Sequence, residues 1–104
     1  MILTTQDFFK DHEIQKTLGL VVGNTIRARN VGRDIVAALR TLVGGEVIEY
    51  TKLMAESREQ SIDRMVTNAE ELGANGIVGL RFTTTAITKA ASEILVYGTA
   101  VILK

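Results

Sequence analysis

The sequence predicts a two-layer α+β subunit of order β-α-α-β-β, with a three-stranded core sheet and both helices on one face. Apolar residues alternate along 18–29 and 76–88, as in half-buried strands. They recur at helical spacing along 31–43 and 49–72. The strand at 92–103 is apolar on both faces, which is typical of a central strand. Its position gives the sheet order 1-3-2.

The first predicted strand carries its larger apolar side chains on one parity: Leu18, Leu20, Val22, Ile26 and Ala28. Asn24 interrupts that parity, and the other holds Gly19 and Gly23 among polar residues and Val21. The preceding residues 1–17 have no clear pattern. Within them, Asp7–Glu13 reads as a short helix or as an irregular surface segment.

Two helices are expected between the first and second strands. Asn30 is suited to cap the first helix, and Gly44-Gly45 ends it. The second helix presents one apolar face: Tyr50, Met54, Ile62, Met65, Val66, Ala69 and Leu72. Gly73 follows at the C′ position, where a left-handed conformation favours glycine.

The last two strands most simply form a hairpin, with a turn at Lys89–Ala91. The second strand has the apolar parity Val78, Leu80, Phe82 and Ala86. The third strand buries Ile94, Val96, Ala100 and Ile102 on one face and Leu95, Tyr97, Val101 and Leu103 on the other. With this order the first and second strands are parallel outer neighbours.

Both helices cover one face, so the other face of the central strand lacks a cover within the subunit. We expect another copy of the same sheet to cover it. Gly19, Gly23 and Gly79 lie on parities that could face this second layer and permit close backbone approach. The alternative is that these glycines mark bulges or relieve twist.

Length and composition fit a single domain over residues 1–104, with no linker or repeat. Twelve basic and twelve acidic residues cancel, so no net field recruits nucleic acid or an anionic membrane. Cysteine is absent, which excludes disulfides and thiolate metal sites. The start of the chain lacks the pattern of a signal peptide, and no apolar run has the length of a membrane span. We therefore expect a cytoplasmic protein.

Conventional catalytic and cofactor motifs are missing from the sequence. There is no Gly-x-Ser-x-Gly elbow, phosphate-binding loop or dinucleotide fingerprint, so no cofactor and no catalytic residue is predicted. His12 is the single histidine and lies near Asp7, Asp11 and Glu13. One histidine without cysteine cannot build a conventional zinc or copper site in one chain, so His12 is interpreted as an exposed polar residue, and no metal ligands are assigned. The alternative is a weak metal site with these carboxylates, or a ring of His12 or carboxylates in a symmetric oligomer.

Arg58 is the candidate binding residue, together with Glu46. A helical projection places Arg58 on the apolar arc between Met65 and Ala69. A guanidinium there needs a partner, because an unpaired buried charge is costly. Glu46 and Asp34 are candidate partners in a structural ion pair. Two alternatives are an aliphatic stem that lets the guanidinium reach water, and an anion-binding pocket beside the Gly-Gly-Glu turn.

Several fragments together resemble the YbjQ-like family: 18–23, 30–34, 43–46 with Tyr50, Arg58, Met65, 72–79 and 98–101. The resemblance covers nearly the whole chain from Leu18 onward. It implies a dodecin-like subunit in a homo-oligomer, namely a ring of five, and a family label of heavy-metal binding. It supplies no catalytic residues, and the chain has Arg81-Phe-Thr-Thr-Thr85 where relatives often carry acidic residues.

Function is therefore expected to be that of an uncharacterised homo-oligomeric binding or assembly protein without an evident catalytic site. Its partner is another copy of itself, with a small ligand or metal as a further possibility. Two alternatives stay open at this point. One is a metal-binding protein that uses carboxylates from several subunits. The other is an enzyme whose site lies at the subunit interface around Glu46 and Arg58.

Overall fold

The computed structural model describes residues 1–28, 48–88 and 91–104. Its elements are β1 (Ile2–Leu3), β2 (Ile14–Ala28), α1 (Ile48–Glu71), β3 (Gly76–Thr88) and β4 (Ala91–Leu103). The long helix and the last two strands thus agree with the predicted bounds to within one residue. The predicted helix at 31–43, with its cap at Asn30 and the Gly44-Gly45 stop, lies outside the described residues.

The four strands form one mixed sheet of order β1-β3-β4-β2. β4 is central and antiparallel to both β2 and β3, as the sequence predicts. The expectation of three strands is wrong, because β1 adds at the far edge, parallel to β3. The dodecin-like arrangement stays a prediction, because it requires the helix that falls outside the described residues.

The N-terminal segment is held along the edge of β3. The Thr4 amide donates to Ile77 O over 3.0 Å, and the Gly79 and Leu80 amides donate to Gln6 O and Thr4 O. Beyond it, residues 7–13 form bends and a turn with a bridge between Phe9 and His12, so the short helix considered there is absent. β2 then begins four residues before the predicted strand.

The end of α1 has the predicted glycine cap. Gly73 has φ +86°, its amide donates to Glu70 O over 2.9 Å, and the Ala74 amide donates to Ala69 O over 3.0 Å. These two bonds form a Schellman motif, which satisfies carbonyl groups in the last turn. The Asn75 side chain then bonds both backbone groups of Leu103, which joins the helix exit to the end of β4.

The sheet has a helix face and an open face. α1 packs on β2 and β4 from one side. The helix face is formed by Val21, Gly23 and Thr25 of β2 with Ile94, Val96 and Ala100 of β4, all buried. On the other side, β2 presents the exposed apolar residues Leu20, Val22 and Ile26.

Gly23 explains why the smaller side chains of β2 lie beneath the helix. A Cβ atom at this position would overlap the carbonyl oxygen of Ser61 and lie 2.5 Å from the backbone nitrogen of Met65. The helix backbone therefore rests directly on the strand. The expectation that Gly23 faces a second sheet is wrong, because the close approach is made by α1.

The contact line of α1 repeats every four residues through Ser57, Ser61, Met65 and Ala69, which are fully buried. Four residues turn a helix by about 400°, so this line drifts by about 40° at each step. Leu72, predicted on the buried face, is instead 51% exposed just beyond the end of α1.

A buried hydroxyl cluster ties α1 to the two strands below it. Ser61 Oγ lies 3.0 Å from Thr25 Oγ1, 3.1 Å from Ile94 O and 2.9 Å from Ser57 O. Ser57 Oγ donates in turn to Leu53 O over 2.8 Å. Because these hydroxyl groups are buried and hydrogen-bonded to protein groups, we interpret the cluster as structural: it fixes α1 to β2 and β4.

Two glycines mark bulges. Gly79 has φ +65° and lies where β3 has one residue more than β4, between the pairs Val78–Thr99 and Arg81–Tyr97. Gly19, with φ +127°, lies beside a similar shift in β2. The bulge explanation of these glycines is thus confirmed. The bulge in β3 also divides the predicted apolar parity, because Val78 and Leu80 join different clusters.

One end of the second face is covered by the chain itself. Val78, Val101 and Leu103 form a small buried cluster against Phe9 and Ile14. The N-terminal segment therefore covers part of the surface that the sequence assigns to another copy.

We expect Gly23→Ala to lower the free energy of unfolding by about 1–3 kcal/mol or more, because the added methyl group forces helix and strand apart. Urea denaturation followed by circular dichroism measures this change. Thr83→Ala, at an exposed position of β3, serves as a control and should stay within about 0.5 kcal/mol. Equal effects of the two substitutions would contradict the close approach.

We expect Ser61→Ala to destabilise the protein by about 1–3 kcal/mol, because Thr25 and Ile94 lose a buried hydrogen-bonding partner. The same denaturation experiment applies. Thr67→Ala is the matched control, since among the described residues the exposed Thr67 hydroxyl donates only to Asp63 O of its own helix. A neutral Ser61→Ala variant would mean that the hydroxyl cluster contributes nothing to stability.

Candidate functional site

The open face of the sheet is the most distinctive surface in the described part of the chain. Leu20 is 70% exposed and Ile26 is 57% exposed, although both lie within β2. Val22 and Tyr97, a cross-strand pair, are also exposed, and Leu95 beside them is half-buried. These five residues are called the apolar patch below. None of the described helices is long and apolar enough to cross a membrane.

Polar groups divide and border the apolar patch. In its middle, the Asn24 Nδ2 group donates to Glu93 Oε2 over 3.1 Å, which links β2 to β4. On the β3 side, Arg81 is opposite Tyr97, and its Nη1 group donates to Thr5 O and Leu80 O. The face therefore presents one acidic and one basic side chain on neighbouring strands.

The second face of β4, which points away from α1, has a buried half and an exposed half. Val101 and Leu103 are buried against the N-terminal segment, whereas Tyr97 is 37% exposed and Leu95 is half-buried. The expectation of a wholly uncovered face is wrong for one half, because Phe9 and Ile14 cover it. The half nearer the β3–β4 hairpin matches the expectation.

A groove of about 390 Å³ lies between β2 and α1, and no sequence pattern predicts it. Its lining residues are Val22, Gly23, Asn24, Asp63, Arg64, Thr67 and Asn68. Arg64 Nη1 donates to Asn24 O over 2.6 Å, and Asn68 Nδ2 donates to Val22 O over 2.8 Å. The signal available in the sequence is the pair of polar residues four apart on a helix beside a strand glycine.

Arg58 is exposed, so its predicted place on the buried arc is wrong. The projection averages the helix over its whole length, but the contact line drifts along it. At this level the line passes through Ser57, and Arg58 lies about 100° around the helix from it. No bond from Arg58 to another described residue is present, and its candidate partners Glu46 and Asp34 lie outside the described residues.

Metal-binding groups do not converge in the described part of the chain. Residues 1–28, 48–88 and 91–104 contain no group of three or more histidine or acidic residues placed to hold an ion. His12 is exposed, as predicted, and its ring meets the Phe9 ring edge-on with centroids 6.2 Å apart. The histidine therefore belongs to the turn that precedes β2.

Relatives of the chain are close and span its whole length. A UPF0145 protein of Methanococcus vannielii is 59% identical over 104 residues, covering 100% of this chain and 99% of the relative. A UPF0145 protein of Dehalococcoides mccartyi is 50% identical over 104 residues and covers 100% of both chains.

A solved structure shares the fold. The crystal structure of a protein of unknown function from Pediococcus pentosaceus, described as a member of the DUF74 family, matches with a TM-score of 0.69. The match covers 100% of this chain and 98% of that one at 16% identity, a level that shows the fold alone. A family model described as "Putative heavy-metal-binding" matches residues 1–104. With a family model across its full length and relatives at least half identical, the protein is a member of the YbjQ-like family of UPF0145 proteins.

Proposed function

We propose that this protein is a homo-oligomeric assembly and binding module, without a catalytic site of its own, whose copies cover one another's apolar patch. The observation that carries the proposal is the exposure of Leu20, Ile26 and Tyr97 on adjacent strands of one sheet face. Burying one large apolar side chain contributes about 1.5–3 kcal/mol, so covering several side chains at once favours association.

The polar groups on the open face support a specific contact between copies. Glu93 and Arg81 give the face one charge of each sign. Complementary charges at the border of an apolar contact set its register and exclude wrong partners more than they add affinity. A ring of five copies, as the family resemblance implies, is the assembly proposed.

We expect the purified protein to run as a discrete oligomer at micromolar concentration in size-exclusion chromatography with light scattering. Leu20→Glu/Ile26→Glu should convert it to a monomer, because two unpaired carboxylates would be buried at the interface. Both positions are more than half exposed in the subunit, so folding should tolerate the change.

Leu72→Glu is the matched control for this experiment. Leu72 is a leucine of similar exposure, at 51%, but it follows α1 and does not belong to the sheet. This variant should keep the oligomer. A monomeric parent protein, or equal dissociation of the control, would refute assembly through the apolar patch.

Metal binding is the second candidate, and the description of the matching family model motivates it. Since the described residues bring no three ligands together, a site would have to use several copies or residues beyond those described. Carboxylates at the subunit interface, with or without His12, are the proposed ligands. An interface enzyme around Glu46 and Arg58 is not proposed, because Glu46 lies outside the described residues and Arg58 is exposed.

We expect a metal site shared between copies to give saturable heat in calorimetric titration with a divalent metal. Leu20→Glu/Ile26→Glu should lose that heat together with its oligomeric state, because the ligands would no longer meet. Leu72→Glu should keep it. The absence of saturable heat in the parent protein would remove the metal candidate and leave the assembly proposal intact.

A further inference from the structure

β2 is the edge strand opposite β1 and runs for 15 residues. An edge strand presents backbone amide and carbonyl groups that a strand of another molecule can pair with. Val22 and Asn24 are two residues apart, so their carbonyl groups point to the same side of the strand. Both carbonyl groups are occupied by side chains of α1, from Asn68 and Arg64.

The spacing of the two elements makes this double contact possible. Arg64 and Asn68 are four residues apart, which advances about 6 Å along a helix. Two residues of a strand advance about 6.6 Å, so each helix side chain meets one outward carbonyl group. Gly23 lies between the two carbonyl groups and lets the helix come close enough for both bonds.

We propose that Arg64 and Asn68 close the edge of β2 against pairing with a strand of a second copy. A strand added at this position would have to compete with two formed hydrogen bonds, one of them donated by a cation. Charge-assisted hydrogen bonds are the stronger class, and a basic side chain at an edge is a known obstacle to strand addition. The groove between β2 and α1 is therefore a protected edge.

The opposite edge is protected in a comparable way along part of its length. There, Thr4–Gln6 bond the backbone of β3 near the bulge, and Arg81 holds the carbonyl group of Thr5. In both places an arginine binds a backbone carbonyl group rather than a carboxylate. Closed edges direct contacts between copies to the sheet face, which gives a finite assembly instead of an extending one.

The test is the double variant Arg64→Ala/Asn68→Ala, followed by sedimentation velocity over a range of concentrations and by thioflavin T fluorescence. We expect the fraction of protein in species larger than the parent assembly to rise several-fold with concentration. Hydrogen exchange of peptides covering residues 20–26 should slow as these species form, because new strand pairing protects the edge amides.

The control is Arg58→Ala/Thr67→Ala, which removes the same charge and one polar group from α1 without touching the backbone of β2. It should keep the size distribution of the parent protein. Arg64→Lys/Asn68→Gln retains donors at both positions and should suppress the growth. If the double alanine variant unfolds, the milder Asn68→Ala opens one carbonyl group and should give an intermediate fraction.

Growth to the same extent in the control, or a folded opened variant that keeps the parent size distribution and exchange rates, would overturn the proposal. Protection of the β2 edge does not depend on how many copies assemble. A monomeric parent protein would refute the proposed function. The growth of Arg64→Ala/Asn68→Ala into larger species would still show whether the two side chains protect the edge.

Discussion

The close approach of α1 to β2 at Gly23 determines which side chains lie on each side of the sheet. Helix backbone and strand backbone nearly touch there, at Ser61 and Met65 of α1. Leu20, Val22 and Ile26 of β2 lie on the other side of the sheet. The core beneath the helix and the exposed patch opposite are therefore two results of one packing constraint. The same approach brings Arg64 and Asn68 within reach of the strand edge.

The sheet face that points away from α1 is covered by the subunit itself at one end and exposed at the other. At one end, Phe9 from the turn before β2 and Ile14 at the start of β2 pack against Val101 and Leu103. At the other end, the apolar patch has no such cover among the described residues. This division explains why Val101 and Leu103 are buried on the second face of β4, whereas Tyr97 on the same face is exposed. It supports an interface confined to one half of the face.

Much of the fold could be read from periodicity, because α1, β3 and β4 are long and regular. Gly73 was recognisable as a cap since glycine is favoured where φ is positive. The errors arose where one residue changes the pattern. The pattern of a strand does not distinguish the roles of its glycines. Gly23 allows the backbone of α1 to approach β2, whereas Gly19 and Gly79 lie at bulges. Arg58 was misplaced because a single projection ignores the drift of the contact line along a long helix.

The candidate site was less predictable than the fold. The apolar central strand correctly indicated an uncovered surface, but β2 was expected to bury its large residues rather than display them. The short β1 escaped prediction because two residues carry no periodicity, and its pairing depends on distant backbone groups of β3. The helix groove could not be found before the register of α1 on β2 was known, since neither Arg64 nor Asn68 forms a motif alone.

Gly79 and Leu80 lie where β3 has one residue more than β4. Before this bulge the even-numbered side chains face away from α1, and beyond it the odd-numbered side chains do. Val78 and Arg81 therefore lie on the same face of the sheet although they are three residues apart. Deleting one of these two residues at the bulge, Gly79 or Leu80, would remove the bulge and leave Arg81 opposite Tyr97 and Phe82 opposite Val96, so the residues that follow along β3 would keep their faces. Deleting a residue from the regular part of the strand, such as Thr83, would exchange the faces of the residues that follow it. The bulge should therefore tolerate a single-residue deletion better than the rest of β3.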